Sequence, residues 1–279
     1  MRIVTGKKRL MVALAAAAAL ALPIAQAQAA TTEIVHSTSS NWAGYAVASS
    51  DPTPPVAYTS VSGSWVQPAA TCTGGQPTYS AFWLGLGGLA SESQGLEQIG
   101  TESNCTAGGS ATYAVWYELV PAASVPVKLK LFPGNRVSAT VTVSGQLVTV
   151  QLKNLTRKTS FTKRLTMAAP DVSSAEWIAE APSACSNSGQ CTTLPLANFG
   201  TVSFFSANAT AAGYTGTISD GAWSPTAIDL QASAGGFFGR RFGAMVTAAG
   251  ATPGDLSSDG SSFSVTWAES AADPGGPPS

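Results

Sequence analysis

Residues 136–152, RVSATVTVSGQLVTVQL, consist of two alternating runs on either side of Ser144-Gly145. The apolar side chains of both runs fall at every second position: Val137, Ala139, Val141, Val143, Val148, Val150 and Leu152. A period of two residues is typical of a β-strand with one buried face, and Ser-Gly between two such runs is a turn signal. The stretch therefore predicts a β-hairpin with one face in a hydrophobic core.

The same pattern recurs along most of the chain. Further short runs rich in Val, Thr and aromatic residues, each bounded by Gly, Pro or Ser, are YTSVSGSWVQP, YSAFWLGLGG, TYAVWYELVP, VPVKLKLF, GTVSFFSA and SSFSVTWAE. No segment beyond the first thirty residues has the 3.6-residue period of a long helix. Many short strands separated by turn signals predict an all-β fold, an antiparallel two-sheet β-sandwich of jelly-roll (concanavalin-like) type.

The N-terminus has a different composition. Four basic residues precede an Ala- and Leu-rich run, and AQAQAA then supplies small residues for cleavage after Ala27 or Ala29. This pattern is typical of a secretory signal peptide, and its apolar run of about 15 residues is shorter than the ~20 that span a bilayer. We expect a secreted, extracellular protein with no membrane association after cleavage. Its expected parts are a signal peptide (1–29), a flexible leader (30–39), a single β-sandwich domain (40–270) and a disordered tail (271–279).

Four cysteines remain after cleavage: Cys72, Cys105, Cys185 and Cys191. In an oxidising compartment they favour two disulfides, for which three pairings are possible. The segment CSNSGQC closes a short glycine-containing loop, which favours Cys185–Cys191 and leaves Cys72–Cys105. A zinc site would need a histidine or a second close pair, so neither a metal nor another cofactor is expected.

Histidine and charge restrict the chemistry further. His36 is the only histidine, it lies in the polar leader, and only 10% of the residues are charged. A Ser–His–Asp triad or a Cys–His pair needs a positioned imidazole, so proton transfer in a hydrolase would depend on carboxylates. The spaced cations of residues 153–164, KNLTRKTSFTKR, are typical of a solvated strand, and no nucleic-acid binding is expected.

SSAEWIAEAPSAC, residues 173–185, places Glu176 and Glu180 four apart in an apolar stretch. Ser173 as a cap and Pro182 as a stop are compatible with a helix, but the all-β surroundings favour a strand with both glutamates on one face. Four strand steps put their Cα atoms about 13 Å apart. The paired carboxylates of glycosidases lie about 5–9.5 Å apart, so these two are not such a pair.

Eight stretches occur in the order found in the glutamic peptidases, the eqolisin family of acid endopeptidases, which the chain resembles. They are SNWAGYAV, GSWVQP, FWLGLGG, LEQIGTESNC, YAVWYELVP, KNLT, AEWIAEAPSACSNSGQC and LPLANFGTVSF. The resemblance covers residues 40–206 well and 207–270 only as generic strands. It implies a sandwich of two antiparallel sheets, in agreement with the periodicity, and peptide hydrolysis with polypeptide substrates. We expect a monomer.

The resemblance also implies which residues are catalytic. The family uses a Gln and a Glu on facing strands, which its motifs place at Gln98 in LEQIG and Glu180 in AEWIAE; Glu176 is then a bystander. Glu180 would take a proton from the attacking water, or share its own with it, and pass one to the leaving amine. Gln98 would orient that water and stabilise the oxyanion. An amide does not titrate, so the pair suits acidic conditions. As the pH rises, activity is expected to be lost already well below pH 7.

Other motif positions surround this dyad. Trp83 matches an aromatic residue of the family's substrate groove, with core packing as the alternative, and Trp116 has the same two interpretations. Core packing is favoured for Trp65. Glu118 matches a carboxylate beside the family's active site, and Glu102 lies near an acidic residue of fungal members.

The chain also departs from the family. Gly87 and Ala114 stand where fungal relatives have acidic residues, which affects the expected pH optimum and subsite preference. No long prosegment is expected between the signal peptide and SNWAGY. Two other functions remain open: a carbohydrate-active protein using Glu118 with Glu180, and a non-catalytic secreted module of the same fold.

Overall fold

The computed structural model describes residues 33–50, 56–186, 190–231 and 249–269, and these residues form strands and no helix. The expected signal peptide and C-terminal tail lie outside them. Within the described ranges there is consequently no helix long enough to cross a membrane. The strands, in chain order, are β1 (Val35–Ser39), β2 (Trp42–Ala48), β3 (Tyr58–Val66), β4 (Ala81–Leu86), β5 (Leu96–Cys105), β6 (Ala111–Val120), β7 (Val125–Val127), β8 (Arg136–Ser144), β9 (Leu147–Asn154), β10 (Thr159–Thr166), β11 (Ser174–Glu180), β12 (Ser183–Cys185), β13 (Cys191–Thr193), β14 (Thr201–Ala211), β15 (Tyr214–Thr217), β16 (Ser224–Leu230), β17 (Ala249–Pro253) and β18 (Phe263–Glu269).

Sixteen of these strands belong to one hydrogen-bonded sheet that forms two layers. The first layer has the order β10-β9-β8-β3-β14-β18-β17, and the second has the order β16-β2-β11-β4-β5-β6-β7. Among the described residues, the sheet continues from one layer to the other at β16 and β17, where Leu230 pairs with Ala251. Strand β15 adds to β14, β1 adds to β16 in parallel, and β12 with β13 forms a separate hairpin. The predicted all-β, predominantly antiparallel sandwich is confirmed.

The hairpin predicted from residues 136–152 is strands β8 and β9. Val143 pairs with Val148 and Val141 with Val150, and these side chains are buried while their neighbours are more exposed. The register is set by this alternation, because a slip of one residue would turn every valine to solvent. The leader is more ordered than expected, since residues from Val35 onward form strand β1.

The core lies between the two layers and is rich in aromatic side chains. Trp65 and Trp177 are fully buried, and each donates its indole N–H across the layers. Trp65 Nε1 donates to Thr101 Oγ1 at 2.9 Å, and Trp177 Nε1 donates to the carbonyl oxygen of Ser62 at 2.9 Å. A buried indole needs such a partner. The core position expected for Trp65 is confirmed, and truncating either tryptophan to Ala would cost about 3–5 kcal/mol.

Both predicted disulfides are present, Cys72–Cys105 and Cys185–Cys191. The first ties the loop after β3 to the end of β5 and spans 33 residues. A loop of that length corresponds to a stabilisation of about 3–4 kcal/mol in the chain-entropy model. The second closes the hairpin of β12 and β13, directly after the strand that carries Glu180.

Strand β11 confirms the interpretation of AEWIAE as a strand. Ala175, Trp177 and Ala179 pack into the core, and Ile178 packs in a second cluster on the opposite side of the sheet. We call this opposite side of β2, β11, β4, β5 and β6 the outer face. Since strand side chains alternate, Glu176 and Glu180 also belong to it.

Gly44 allows β2 to lie close against β11. Its φ is +148°, and a Cβ at this position would lie 2.1 Å from the carbonyl oxygen of Trp177. No side chain fits there, and the conformation itself is one that glycine adopts readily. The close approach of β2 to β11 therefore requires glycine at position 44. In the resulting register Trp42 pairs with Glu180.

Candidate active site

The sheet register arranges the outer-face residues of five strands, β2, β11, β4, β5 and β6, in rows. The first row is Trp42, Glu180, Ala81, Glu102 and Ala114. The second row is Gly44, Ile178, Trp83, Gly100 and Trp116. The third row is Ala46, Glu176, Gly85, Gln98 and Glu118. All six residues that the motifs associate with catalysis or substrate binding therefore lie on one face, although they come from four strands.

Glu180 is the last residue of β11 and is only partly buried. Its Oε1 accepts a hydrogen bond from Asn41 Nδ2 at 3.0 Å, and its Oε2 accepts one from Trp83 Nε1 at 2.7 Å. Burial raises the pKa of Glu180 to about 7; the two hydrogen bonds oppose this change, and the charge of Glu118 adds to it. Below neutrality the carboxyl group of the free site consequently carries a proton.

Gln98 and Glu118 form a direct pair on β5 and β6. Gln98 Nε2 donates to Glu118 Oε2 at 2.7 Å, and Gln98 is only 4% exposed. Gln98 Oε1 is buried without a hydrogen-bond partner among the described residues. Burial raises the pKa of Glu118, while the hydrogen bond from Gln98 acts in the opposite direction. The carboxyl group of Glu118 thus fixes the amide by its nitrogen and leaves the amide oxygen unpaired.

Trp83 is buried in the second hydrophobic cluster, as its core-packing alternative expects. It lies on the outer face, but it is 0% exposed and does not line an open groove. Trp42 packs edge-on against it with ring centroids 5.0 Å apart. Trp83 contributes to the site through its indole N–H, which donates to Glu180 Oε2. Trp42 and Trp116 are partly exposed on the same face and pack against the outer-face cluster.

Glu102 is partly buried on β5, and Ala81 separates it from Glu180 in their row. Burial raises its pKa, and a hydrogen bond with Asn104 opposes the change. Across the described ranges, no three His, Cys, Asp or Glu side chains are arranged to hold a metal ion.

Glu176 and Glu97 are both 0% exposed. The carboxyl oxygens of Glu176 have no hydrogen-bond partner in the described part of the chain. Burial raises the pKa of Glu176 well above the usual range, and the neighbouring Ser174 hydroxyl acts in the opposite direction. Burial also raises the pKa of Glu97 to about 8, although Glu97 Oε1 accepts a hydrogen bond from the Asp171 backbone N–H at 3.1 Å. Both groups are therefore neutral acids in an acidic solution.

These buried acids make the folded state most stable in acid. Their folded pKa values lie above the unfolded value of about 4.3, so the folded state binds more protons. Their contribution to the free energy of unfolding is then largest below that value and falls as pH rises. For Glu97 it is lost towards about pH 8, by about 1.4 kcal/mol per pH unit, and for Glu176 the change has the same direction. We expect Glu176→Gln to reduce the fall in Tm between pH 5 and pH 8, measured by circular dichroism. An unchanged pH dependence of Tm would show that Glu176 is not a buried neutral acid.

The space beside Gly87 is filled by a carboxylate side chain from another loop. A Cβ at Gly87 would lie 2.5 Å from Asp171 Cβ. Asp171 accepts hydrogen bonds from the Gly88 N–H at 3.3 Å, the Ser173 N–H at 2.9 Å and the Ser93 hydroxyl. Burial alone raises the pKa of Asp171, but these bonds outweigh it and lower the pKa below its usual value. A carboxylate from the loop before β11 therefore lies directly beside Gly87.

A shallow groove runs beside Glu180 and is bounded by uncharged side chains. Its lining residues are Ser37, Thr38, Ser39, Asn41, Trp42, Gly88, Leu89 and Ile228. Asn41 and Trp42 belong both to this groove and to the surroundings of Glu180. Asn41 was not predicted as a site residue, although it occurs in the SNWAGYAV motif. Asp171 was not predicted either, because the sequence carries no signal for it.

Comparisons with known proteins agree with this architecture. The model of the Peptidase A4 family matches residues 40–238. Scytalido-glutamic peptidase with a peptide-based transition state analog is 22% identical, with 82% of this chain and 98% of that chain covered and a TM-score of 0.62. SCP-B, an eqolisin in complex with the tripeptide Ala-Ile-His, is 21% identical over the same shares, with a TM-score of 0.58. Aspergilloglutamic peptidase from Aspergillus niger is 24% identical over 68% of this chain and 99% of that chain, with a TM-score of 0.52.

No curated protein sequence matches the chain. At 21–24% identity the three solved structures establish a shared fold. The family match is more informative, because it covers most of the chain and includes all three rows of the outer face. The chain therefore belongs to the Peptidase A4 family, the glutamic peptidases or eqolisins, and is a peptide hydrolase.

Proposed function

We propose that this protein is a secreted endopeptidase that works in acid with Gln98 and Glu180 as its catalytic residues. The observation that carries the proposal is the outer face itself. It holds a partly exposed carboxyl group with a pKa of about 7 and an amide that Glu118 fixes and whose oxygen has no hydrogen-bond partner in the described part of the chain. No Lys or Arg occurs between Arg9 and Lys128 or between Arg164 and Arg240, so no basic side chain of these strands neutralises the acids.

Glu180 acts as a proton relay. As the water oxygen attacks the carbonyl carbon of the scissile bond, one carboxyl oxygen accepts a proton from the water. The proton already on Glu180 passes to the amide nitrogen, and the carbon–nitrogen bond breaks. The products are a carboxylic acid and an amine, and Glu180 ends in its starting state. The relay needs a protonated carboxyl group, and burial supplies this up to about pH 7.

Gln98 stabilises the charge that develops on the carbonyl oxygen. An amide nitrogen has two N–H groups, so Nε2 keeps one for the oxyanion while the other is bonded to Glu118. Its Oε1 accepts a hydrogen bond from the attacking water and orients it. Because an amide does not titrate, Gln98 keeps this role over the whole pH range in which Glu180 is protonated.

Secretion is proposed from the sequence and from the disulfides. The signal peptide lies outside the described residues, and two disulfides are typical of an oxidising compartment. The groove beside Glu180 has hydroxyl and apolar lining groups, which fit an extended, uncharged peptide segment.

Incubation with denatured casein and with a glycan panel at pH 3 to 7 tests the function. We expect casein cleavage without glycan cleavage, and no inhibition by pepstatin, a chelator or a serine-directed organophosphonate. These inhibitors need a pair of catalytic aspartates, a metal or an activated serine, and the proposed dyad has none of them. Glycan cleavage would favour the carbohydrate-active alternative, and no cleavage of either substrate would favour a non-catalytic module. Strong inhibition by the chelator would indicate a different catalytic group.

A further inference from the structure

Asn41 lies in the SNWAGYAV motif and contacts the proposed catalytic carboxyl group. It precedes β2, and its backbone carbonyl oxygen accepts a hydrogen bond from the Ala181 N–H at 2.8 Å. The segment before β2 is therefore bound directly to the residue that follows Glu180. Asn41 Nδ2 donates to Glu180 Oε1 at 3.0 Å. Asn41 is thus bonded to the end of β11 at two points, once by its backbone and once by its side chain.

The amide of Asn41 can present only its nitrogen to Glu180. Ser39 Oγ donates to Asn41 Oδ1 at 3.1 Å, which occupies the amide oxygen. The same Ser39 oxygen accepts from the backbone N–H groups of Asn41 at 3.3 Å and Trp42 at 3.1 Å. Ser39 is the last residue of β1 and pairs with Leu230 of β16. The orientation of the amide is therefore set by the leader strand.

We propose that Asn41 is a positioning residue that holds the Glu180 carboxyl group in its catalytic orientation, and that strand β1 fixes Asn41 through Ser39. The inference rests on the proposed role of Glu180. With Asn41 on Oε1 and Trp83 on Oε2, each carboxyl oxygen has one fixed donor. Each oxygen keeps a second lone pair for the water or the scissile amide. The carboxyl group cannot rotate without losing both donors.

Asn41 also affects the ionisation of Glu180. A donor stabilises the ionised form, so the hydrogen bond from Asn41 lowers the pKa of Glu180 and partly offsets burial. Among the neighbouring strands, β4 carries no titratable side chain and the Tyr45 side chain of β2 points into the core. Glu118 raises the pKa of Glu180 by its charge, Glu102 lies on the outer face of β5, and His36 is exposed on β1.

The test follows the ionisation of Glu180 through Trp83, whose indole donates to it. Intrinsic fluorescence of the full chain is titrated from pH 4 to 9, and Glu180→Gln identifies the part of the signal that belongs to Glu180. We expect a wild-type midpoint at about 7, the pKa of Glu180. Asn41→Ala should move the midpoint up by about one pH unit, because a hydrogen bond to a charged group is lost.

Two further variants separate positioning from a general effect on folding. Ser39→Ala should move the midpoint in the same direction by less, because it frees the Asn41 amide to rotate. Asn208→Ala, at a partly exposed asparagine bonded to the Ser206 carbonyl oxygen, should leave the midpoint unchanged. We also expect kcat on a peptide to fall roughly 10-fold to 10²-fold in Asn41→Ala with little change in KM.

An unchanged midpoint in Asn41→Ala would overturn the inference, whatever the activity. The fluorescence titration does not depend on turnover, so it tests Asn41 even if Glu180→Gln remains active and the proposed function fails. Conversely, an inactive Glu180→Gln variant together with a wild-type midpoint in Asn41→Ala would refute only the role of Asn41.

Discussion

Glu180→Gln is expected to reduce kcat/KM for a peptide substrate by on the order of 10²–10⁴ at pH 5. The amide keeps the size of the carboxyl group, but it cannot accept a proton from water and return one to the leaving amine. Because Glu180 is partly exposed at the end of β11, the fold should tolerate the change. Kinetics on one fluorogenic peptide, with Tm measured alongside, separate the catalytic effect from the structural one.

Glu176→Gln is the matched control for this variant. It is the same substitution, on the same strand and the same face, four residues away. At pH 5 the buried Glu176 is already neutral, so glutamine resembles it in both size and charge. We expect its kcat/KM to stay within a few-fold of wild type. Equal and large losses in both variants would contradict the assignment of Glu180.

Gln98→Ala is expected to reduce kcat by about 10²–10³, with a much smaller change in KM. The variant loses an oxyanion donor, a loss of roughly 2.7–4 kcal/mol in the transition state. It also leaves Glu118 Oε2 without the donor at 2.7 Å, so the pKa of Glu118 should rise. Steady-state kinetics at pH 5 measure the separation of kcat from KM.

Gln94→Ala is a suitable control, because Gln94 lies in the loop before β5 and bonds only backbone carbonyl oxygens of Glu92 and Ser93 among the described residues. It should behave as wild type. A Gln98→Ala variant that keeps more than half of the wild-type kcat would show that Gln98 serves the structure and not the reaction.

The strand pattern could be predicted from sequence because it depends on local alternation. In the hairpin of β8 and β9, burial follows the period of two along both strands, and the valines alone determine which face is inside. The strand β11 was harder, since Ser173 and Pro182 also suit a helix, and only the surrounding strands decided it. The disulfide pairing was available from the short spacing of Cys185 and Cys191.

The contacts of the site could not be predicted, because they depend on the register between strands far apart in sequence. Trp83 was expected in the groove or in core packing; it is buried in the second cluster, and only the register shows that its indole also contacts Trp42 and donates to Glu180. Asp171 reaches the space above Gly87 from another loop, and no local pattern reports such a contact. Strand β1 was expected to be flexible because its composition is polar; its order comes from pairing with β16.

The pH limit of activity is the property on which sequence and structure give different expectations. The resemblance alone implies that activity is lost well below pH 7 as the pH rises. The structure favours a higher limit, because burial raises the pKa of Glu180 to about 7 and the charge of Glu118 adds to this. Stability should begin to decline at lower pH than activity, since the contribution of the buried Glu97 is lost between its unfolded pKa of about 4.3 and its folded pKa of about 8.

The pH dependence of kcat/KM for one defined peptide bond, from pH 3 to 9, tests the central claim most directly. The relay needs protonated Glu180, so kcat/KM should fall about tenfold per pH unit once the pH exceeds about 7. Circular dichroism at each pH shows whether the protein is still folded. A kcat/KM that instead rises through pH 7 and stays high would contradict the account, because Glu180 would then be ionised in the active enzyme.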